Sequence, residues 1–155
     1  MNGSTQLGAA VVVSLALLAS LLGAGCADNE RNEAQLLIDR LERVEEDSPI
    51  AVRRRELARV RQLGVSSDEV VRVRDACVRA HEALLTAEQE QQSARAALER
   101  ATGAGAQLSQ TDAARIASAI ERSDQAIARS RGLFPACQEG KRGLALRFSG
   151  RAHAP

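Results

Sequence analysis

The fold is decided by residues 66–101, which read SSDEVVRVRDACVRAHEALLTAEQEQQSARAALERA. Ser66 and Glu69 have the spacing of a capping box, in which a hydroxyl group and a carboxylate satisfy the free N–H groups at the start of a helix. Small or apolar residues then recur alternately three and four positions apart for more than four heptads: Val70, Val73, Cys77, Ala80, Leu84, Ala87, Gln91, Ala94, Leu98 and Ala101. This spacing places them along one side of a helix about 50 Å long and predicts coiled-coil packing against a second helix.

A second long helix is predicted after a break at residues 102–106, which read TGAGA. Ser109 and Asp112 resemble another capping box, and the residues behind them again have heptad spacing: Ala113, Ile116, Ile120, Ser123, Ile127 and Ser130. Gly132 and Pro135 are expected to end this helix, because glycine favours helix ends and proline cannot donate a helical hydrogen bond. Two long helices joined by a short loop predict an antiparallel hairpin over residues 66–131.

Two shorter helices are predicted before the hairpin. The first covers residues 30–46 and carries apolar residues on one face: Ala34, Leu37, Leu41 and Val44. Ser48-Pro49 then begins a short helix that ends near Leu63 and Gly64. The predicted fold is all-α, an antiparallel bundle of three to four helices over residues 30–137, dominated by the long hairpin. Residues 138–155 have no helical period and are predicted to form an irregular basic tail.

The first 25 residues contain no Asp, Glu, Lys or Arg, and from Leu7 they read LGAAVVVSLALLASLLGAG up to Cys26. A long apolar stretch at the N-terminus that ends in small residues is typical of a secretory signal. Its end resembles the lipobox of bacterial lipoproteins. Ala24-Gly25-Cys26 match the last three positions of that motif, with Gly23 where the family has leucine.

The lipoprotein resemblance implies that residues 1–25 are removed as a signal peptide and that Cys26 is the site of lipid attachment. Residues 26–29 are then a short tether that holds the protein at a membrane through acyl chains on Cys26. Ala27, rather than Asp, follows this cysteine, which favours the outer membrane of the cell envelope, facing the periplasm. A plain secretory signal is the alternative, as is an uncleaved anchor, because about 20 apolar residues can cross a bilayer.

Cys77 and Cys137 remain after Cys26, and an even number of cysteines in an exported protein predicts a disulfide. If the hairpin turns near residue 106, Cys77 lies opposite residue 134 or 135, close to Cys137. A metal site is one alternative, because His81 follows Cys77 by four residues on the same helix face and Cys137 could be a third ligand. The other alternative to the disulfide is that Cys77 and Cys137 are both free thiols. We expect the disulfide, no metal and no cofactor, with His81 an exposed or hydrogen-bonded helix residue.

The charges are separated into blocks. Residues 28–47 contain eight acidic residues and three arginines, whereas residues 53–61 contain five arginines and Glu56. We expect the two blocks to fold back on each other and neutralise locally; the alternative is a binding face for anionic lipid, cell-wall polymer or an acidic partner. A net charge of +1 and a basic block without aromatic residues oppose nucleic-acid binding.

No motif for catalysis is found. The chain has no Gly-x-Ser-x-Gly, no glycine-rich phosphate loop followed by lysine and no His-Glu-x-x-His, so we expect no enzyme activity. One hypothesis is a structural or adaptor lipoprotein, whose weakly filled helical seam around Gln91 contacts a protein partner or the cell wall. The other is a periplasmic module that binds a small ligand or a metal near Cys77 and His81.

Overall fold

The computed structural model describes residues 28–45, 47–103 and 108–149, and these residues form four helices and no strand. Helix α1 covers residues 28–45, α2 covers Ile50–Arg61, α3 covers Asp68–Gly103 and α4 covers Gln110–Ser149. The predicted all-α class is confirmed. Cys26 and the predicted signal peptide lie outside the described residues.

Helices α3 and α4 pair as an antiparallel hairpin. Cys77 contacts Cys137 near one end, whereas Glu90 of α3 pairs with Arg122 of α4 further along, so residue numbers rise in one helix as they fall in the other. The Ser123 hydroxyl donates to the carbonyl of Ala87 between these two points. The predicted hairpin is confirmed.

Helices α1 and α2 pack against one end of the hairpin, which we call the base. Their buried residues join a core with the start of α3 and the end of α4: Ala34, Leu37, Leu41, Val44, Leu57, Val60, Val70, Val73, Cys77, Val78, Ala80, Leu85, Cys137, Leu144 and Phe148. The opposite end, residues 90–103 and 108–122, we call the tip. Its buried residues are all alanine: Ala94, Ala97 and Ala119. The molecule is therefore a four-helix bundle at the base and a thinly packed helix pair at the tip.

Helix α4 continues through Gly132 and Pro135 to Ser149. The prediction that these residues end the helix was therefore wrong, and so was the irregular tail as far as residue 149; residues 150–155 lie outside the description. Pro135 and Arg131 are both exposed, so water can replace the N–H that Pro135 cannot donate to the Arg131 carbonyl. A proline inside a helix costs about 3 kcal/mol. Burial of Leu144 and Phe148, at roughly 1.5–3 kcal/mol each, offsets that cost.

The start of α3 is capped by α1. The Glu33 carboxylate accepts hydrogen bonds from the backbone N–H groups of Ser66 at 2.9 Å and Ser67 at 3.0 Å, and from the Ser66 hydroxyl at 2.7 Å. Glu69 instead pairs with Arg147 of α4. The capping box predicted between Ser66 and Glu69 was therefore wrong, because Glu33 on a neighbouring helix takes the Ser66 N–H that the Glu69 carboxylate would have used.

The start of α4 follows its prediction. The backbone N–H of Asp112 donates to the Ser109 hydroxyl oxygen at 3.1 Å, and that hydroxyl donates to the Asp112 carboxylate at 2.6 Å. Ser109 therefore caps the helix in the predicted way.

The buried sides of α3 and α4 depart from the predicted heptad positions toward the tip. Leu98 and Ile120 are exposed, and the alanines directly before them, Ala97 and Ala119, are buried instead. Gln91, expected at the centre of the seam, is also exposed. In α4 the buried residues keep heptad spacing, but at Ala119 and Ala126, one residue before the predicted Ile120 and Ile127. The register that faces the other helix therefore differs from the predicted one, and this turns two large apolar side chains outward.

Candidate functional site

The structure joins Cys77 and Cys137 in a disulfide at the base, in agreement with the prediction. Both cysteines are fully buried, and their Cα atoms are 4.6 Å apart. One turn further, Gly140 lies so close to α3 that a Cβ atom there would be 2.7 Å from Cγ2 of Val73. The disulfide and this close approach fix the separation of the two long helices at the base.

His81 lies one turn after Cys77 and is only 2% exposed. Its ring meets the edge of the Phe134 ring, with centroids 5.1 Å apart and planes at 78°. Among the described residues neither ring nitrogen has a hydrogen-bond partner, and Oε1 of Glu45 is 3.6 Å from Nε2. Burial lowers the pKa of His81 below its ordinary value, so the imidazole is neutral at pH 7. The histidine expected to be exposed or hydrogen-bonded is thus buried beside Phe134 and Glu45, with no hydrogen bond to the residues that the structure describes.

Charged groups from three helices surround His81. Glu45 of α1 accepts a hydrogen bond from Nζ of Lys141 of α4 at 2.6 Å, and both lysine and Arg53 of α2 oppose a positive charge on the imidazole. The Glu45 carboxylate acts in the other direction and favours the protonated ring. Protonation of His81 would therefore put a cation into a buried site that already holds two others nearby.

The three residues of the metal alternative are brought to the same region, because Cys77, His81 and Cys137 all lie at this level of the base. The two sulfur atoms are bonded to each other, however, and a disulfide offers no thiolate ligand. No group of three or more His, Cys, Asp or Glu side chains within residues 28–45, 47–103 and 108–149 is arranged to hold a metal ion.

The two charge blocks are neutralised by the hairpin rather than by each other. Arg53 of α2 donates to both carboxylate oxygens of Glu88 of α3, at 2.9 and 2.7 Å. Glu30 of α1 pairs with Arg147 of α4 at 3.1 Å. Within the described part of the chain, α1 and α2 are linked by the ion pair of Arg40 with Glu56. Arg40 is an arginine within the acidic block, and Glu56 is the one acidic residue of the basic block. The predicted pairing between the blocks was therefore wrong.

The cleft between α2 and α3 has a volume of about 390 Å³ and is lined by Arg54, Leu57, Arg61 and Leu85, among others. Leu57 and Leu85 are only 4% and 2% exposed, because they already pack in the core. The cleft therefore offers a ligand little apolar surface, and Arg61 is engaged with Glu82.

The start of α1 and the end of α4 meet at the base. Asn29 donates a hydrogen bond to Ser66, which precedes α3, and Glu30 pairs with Arg147 near the end of α4. Helix α3 has 36 residues, so the tip lies about 54 Å from this end.

The tip carries most of the exposed large apolar residues. Among the described residues five such side chains are exposed, and three of them are at the tip: Leu98 at 46%, Leu108 at 40% and Ile120 at 49%. The buried residues of the tip are alanine, so its larger apolar side chains are left on the surface. This exposed surface is the strongest candidate for a contact with another molecule.

No helix within the described ranges is both long enough and apolar enough to cross a membrane. No family model, curated protein or solved structure matches this chain.

Proposed function

We propose that this chain is a lipid-anchored protein of the bacterial cell envelope whose helical hairpin is a protein-interaction module. The observation that carries the proposal is the tip, where Leu98 and Ile120 are about half exposed above a core of alanine. Exposed apolar side chains that cover no core of their own favour contact with another protein.

The leader supports the anchored part of the proposal. Its apolar stretch ends in Ala24-Gly25-Cys26, the residues that resemble a lipobox, and the described part of α1 starts at residue 28, close to Cys26 in the sequence. Acyl chains on Cys26 would hold the base of the bundle near the membrane, and the length of α3 would let the tip reach about 50 Å from it. We propose the outer membrane, with the hairpin in the periplasm.

The base is built to hold the hairpin firmly. The Cys77–Cys137 disulfide crosslinks the two long helices, and Glu33 ties α1 to the start of α3. A binding surface on a rigid support loses less conformational freedom when it meets its partner. We do not propose the metal-binding alternative, because the disulfide uses both sulfur atoms that the metal would need.

A photoreactive amino acid placed at residue 98 in living cells tests the interaction module. We expect crosslinked protein from position 98 and none from position 36, where Leu36 of α1 is similarly exposed, at 43%, but lies at the base. No crosslink to any protein from either position 98 or position 120 would contradict the module.

Anchoring is tested separately by mass spectrometry of the mature N-terminus and by Cys26→Ser. We expect acylation at Cys26 in the wild type, and loss of both acylation and membrane association in the variant. A mature chain that keeps Met1, or a Cys26→Ser variant that is still acylated, would overturn the anchored part of the proposal.

A further inference from the structure

We infer that the tip binds a second copy of this chain, in an antiparallel pair that overlaps tip to tip. The inference rests on the proposed function in that it names the partner of the same surface, but it does not require acylation of Cys26. It is carried by the position of two exposed apolar residues and of two charged residues beside one of them.

Leu98 and Ile120 lie on the same side of the hairpin. Each directly follows a buried alanine, Ala97 and Ala119 respectively, and is therefore rotated by the same angle from the contact between the helices. Because α3 and α4 run in opposite directions and face each other, equal rotations about the two helices lead to the same side of the pair. We call this side the tip face.

Arg95 belongs to the tip face by the same rule, because it follows the buried Ala94. Glu99 follows Arg95 by one helical turn and borders the face next to Leu98. Both charged residues are exposed, and neither has an ion-pair partner among the residues that the structure describes. Within the described ranges, the tip face thus presents Leu98, the cation of Arg95 and the anion of Glu99 within about two turns of α3.

A twofold axis that lies between two facing copies of the tip face, perpendicular to α3 at the level of residue 97, makes this surface self-complementary. It places Arg95 of each chain against Glu99 of the other and brings the two Leu98 side chains close together, one residue to either side of the axis. Symmetry forms every such contact twice, which doubles the effect of a single favourable pair. The same operation covers apolar surface that each tip lacks the core to bury internally.

The overlap is short, so the pair is weak in dilute solution. It covers residues 91–103 of α3 and the facing turns of α4, and stable interfaces usually bury about 800 Å² on each partner. Attachment to a membrane raises the effective concentration of one copy around another, which strengthens a weak contact without new interactions. The bases of the two chains would lie about 90 Å apart, so a pair anchored in one membrane would lie along it, whereas an unpaired hairpin could extend from it.

Sedimentation equilibrium of the full-length chain in detergent tests the pairing. We expect a monomer–dimer equilibrium for the wild type. Arg95→Glu and Glu99→Arg should each weaken the dimer about tenfold, because each replaces two attractions with two repulsions. The double variant R95E/E99R should restore wild-type affinity, because the two charges are exchanged. Leu98→Glu should remove the dimer, whereas Leu36→Glu, its control at the base, should not.

The inference is overturned if the wild type stays monomeric at every concentration reached, or if the double variant is as weak as the single ones. Circular dichroism shows whether each variant is folded. If Leu98→Glu does not fold, the variants of the exposed residues Arg95 and Glu99 decide whether the chain pairs. If position 98 crosslinks to a different protein in cells while the purified chain is monomeric, the pairing is wrong and the proposed function stands. If position 98 crosslinks to nothing, both fail.

Discussion

Gly140 of α4 lies against the side chain of Val73 of α3, with no room for a Cβ atom between them. A methyl group at residue 140 would be 2.7 Å from Cγ2 and 3.1 Å from Cγ1 of Val73, and a β-branched side chain cannot turn both atoms away. Gly143, one turn later, has no atom within 4 Å of its Cβ position. Gly140 is therefore required for the close contact of α4 with α3, whereas Gly143 lies where a larger residue would fit.

We expect Gly140→Ala to lower the free energy of unfolding by about 1–3 kcal/mol, because the added methyl group forces the two helices apart. Gly143→Ala should raise it by roughly 0.5–1 kcal/mol, since alanine has the higher helix propensity and meets nothing. Urea unfolding followed by circular dichroism measures both changes. A Gly140→Ala variant that is as stable as Gly143→Ala would show that the helices are not in close contact at this point.

Loss of the disulfide should destabilise the base. The bridge closes a loop with a sequence separation of 60, and the chain-entropy model gives it about 4 kcal/mol. We expect the Cys77→Ser/Cys137→Ser double variant to lose 2–4 kcal/mol in urea unfolding, and the reduced wild type to behave in the same way. Equal stability of the oxidised and reduced wild type would contradict a crosslink between α3 and α4.

His81 should make the fold sensitive to mild acid. Its pKa is lowered in the folded protein by burial, from 6.5, so the unfolded state binds the proton more tightly. The stability that depends on neutral His81 is complete above pH 6.5 and is lost as the pH falls through 6.5 toward the lower folded value. Urea midpoints should therefore decrease between pH 7.5 and pH 5, with Glu45, Lys141 and Arg53 as the charged neighbours.

The matched test of this pH dependence is His81→Leu beside His153→Gln, which changes the other histidine of the chain. We expect the first variant to have a flatter profile between pH 7.5 and pH 5, and the second to keep the wild-type decrease. Both should still lose stability below pH 4.5, because the pKa of Glu33 is lowered by hydrogen bonds from Ser67 and Ser66. If the urea midpoint of His81→Leu decreases between pH 7.5 and pH 5 as much as that of the wild type, His81 is not the cause of the pH dependence.

Glu33 and Glu69 distinguish the observed cap of α3 from the predicted capping box. Glu33→Ala should cost about 1 kcal/mol, because it leaves the N–H groups of Ser66 and Ser67 without their carboxylate. Glu69→Ala should cost no more than about 0.5 kcal/mol, since its pair with Arg147 is largely exposed. If thermal or urea unfolding ranks the two variants in the reverse order, α1 does not cap α3.

The hairpin could be predicted from sequence because the spacing from Val70 to Ala94 is long and regular, and most of these residues are buried. The end of α4 was missed because Gly132 and Pro135 were interpreted as stop signals. The pattern itself continued past them: Cys137, Gly140 and Leu144 follow Ser123 and Ser130 at the same spacing. Local breakers were outweighed by burial against α3 and by the disulfide, which act through the tertiary fold.

Other features could not be derived from the pattern. The outward position of Leu98 and Ile120 depends on which register of the heptad pattern faces the other helix, which the spacing alone does not specify. The burial of His81 depends on Phe134, which lies beyond the predicted end of α4. The ion pairs of the charge blocks depend on which helices become neighbours, because Glu88 and Lys141 are far in sequence from the residues that they neutralise.

The covalent bridge lies at the base, some 26 residues along α3 from Gly103, and this sets how the hairpin responds to mechanical load. A force that separates α3 from α4 at the tip first breaks the alanine contacts and the Glu90–Arg122 pair, and then the Ser123–Ala87 hydrogen bond and the contact between His81 and Phe134. Separation then stops at the Cys77–Cys137 disulfide, because a covalent bond does not break when side chains lose their contacts. Pulling on a bound partner would thus separate α3 from α4 as far as Cys77, and the bundle at the base would stay closed.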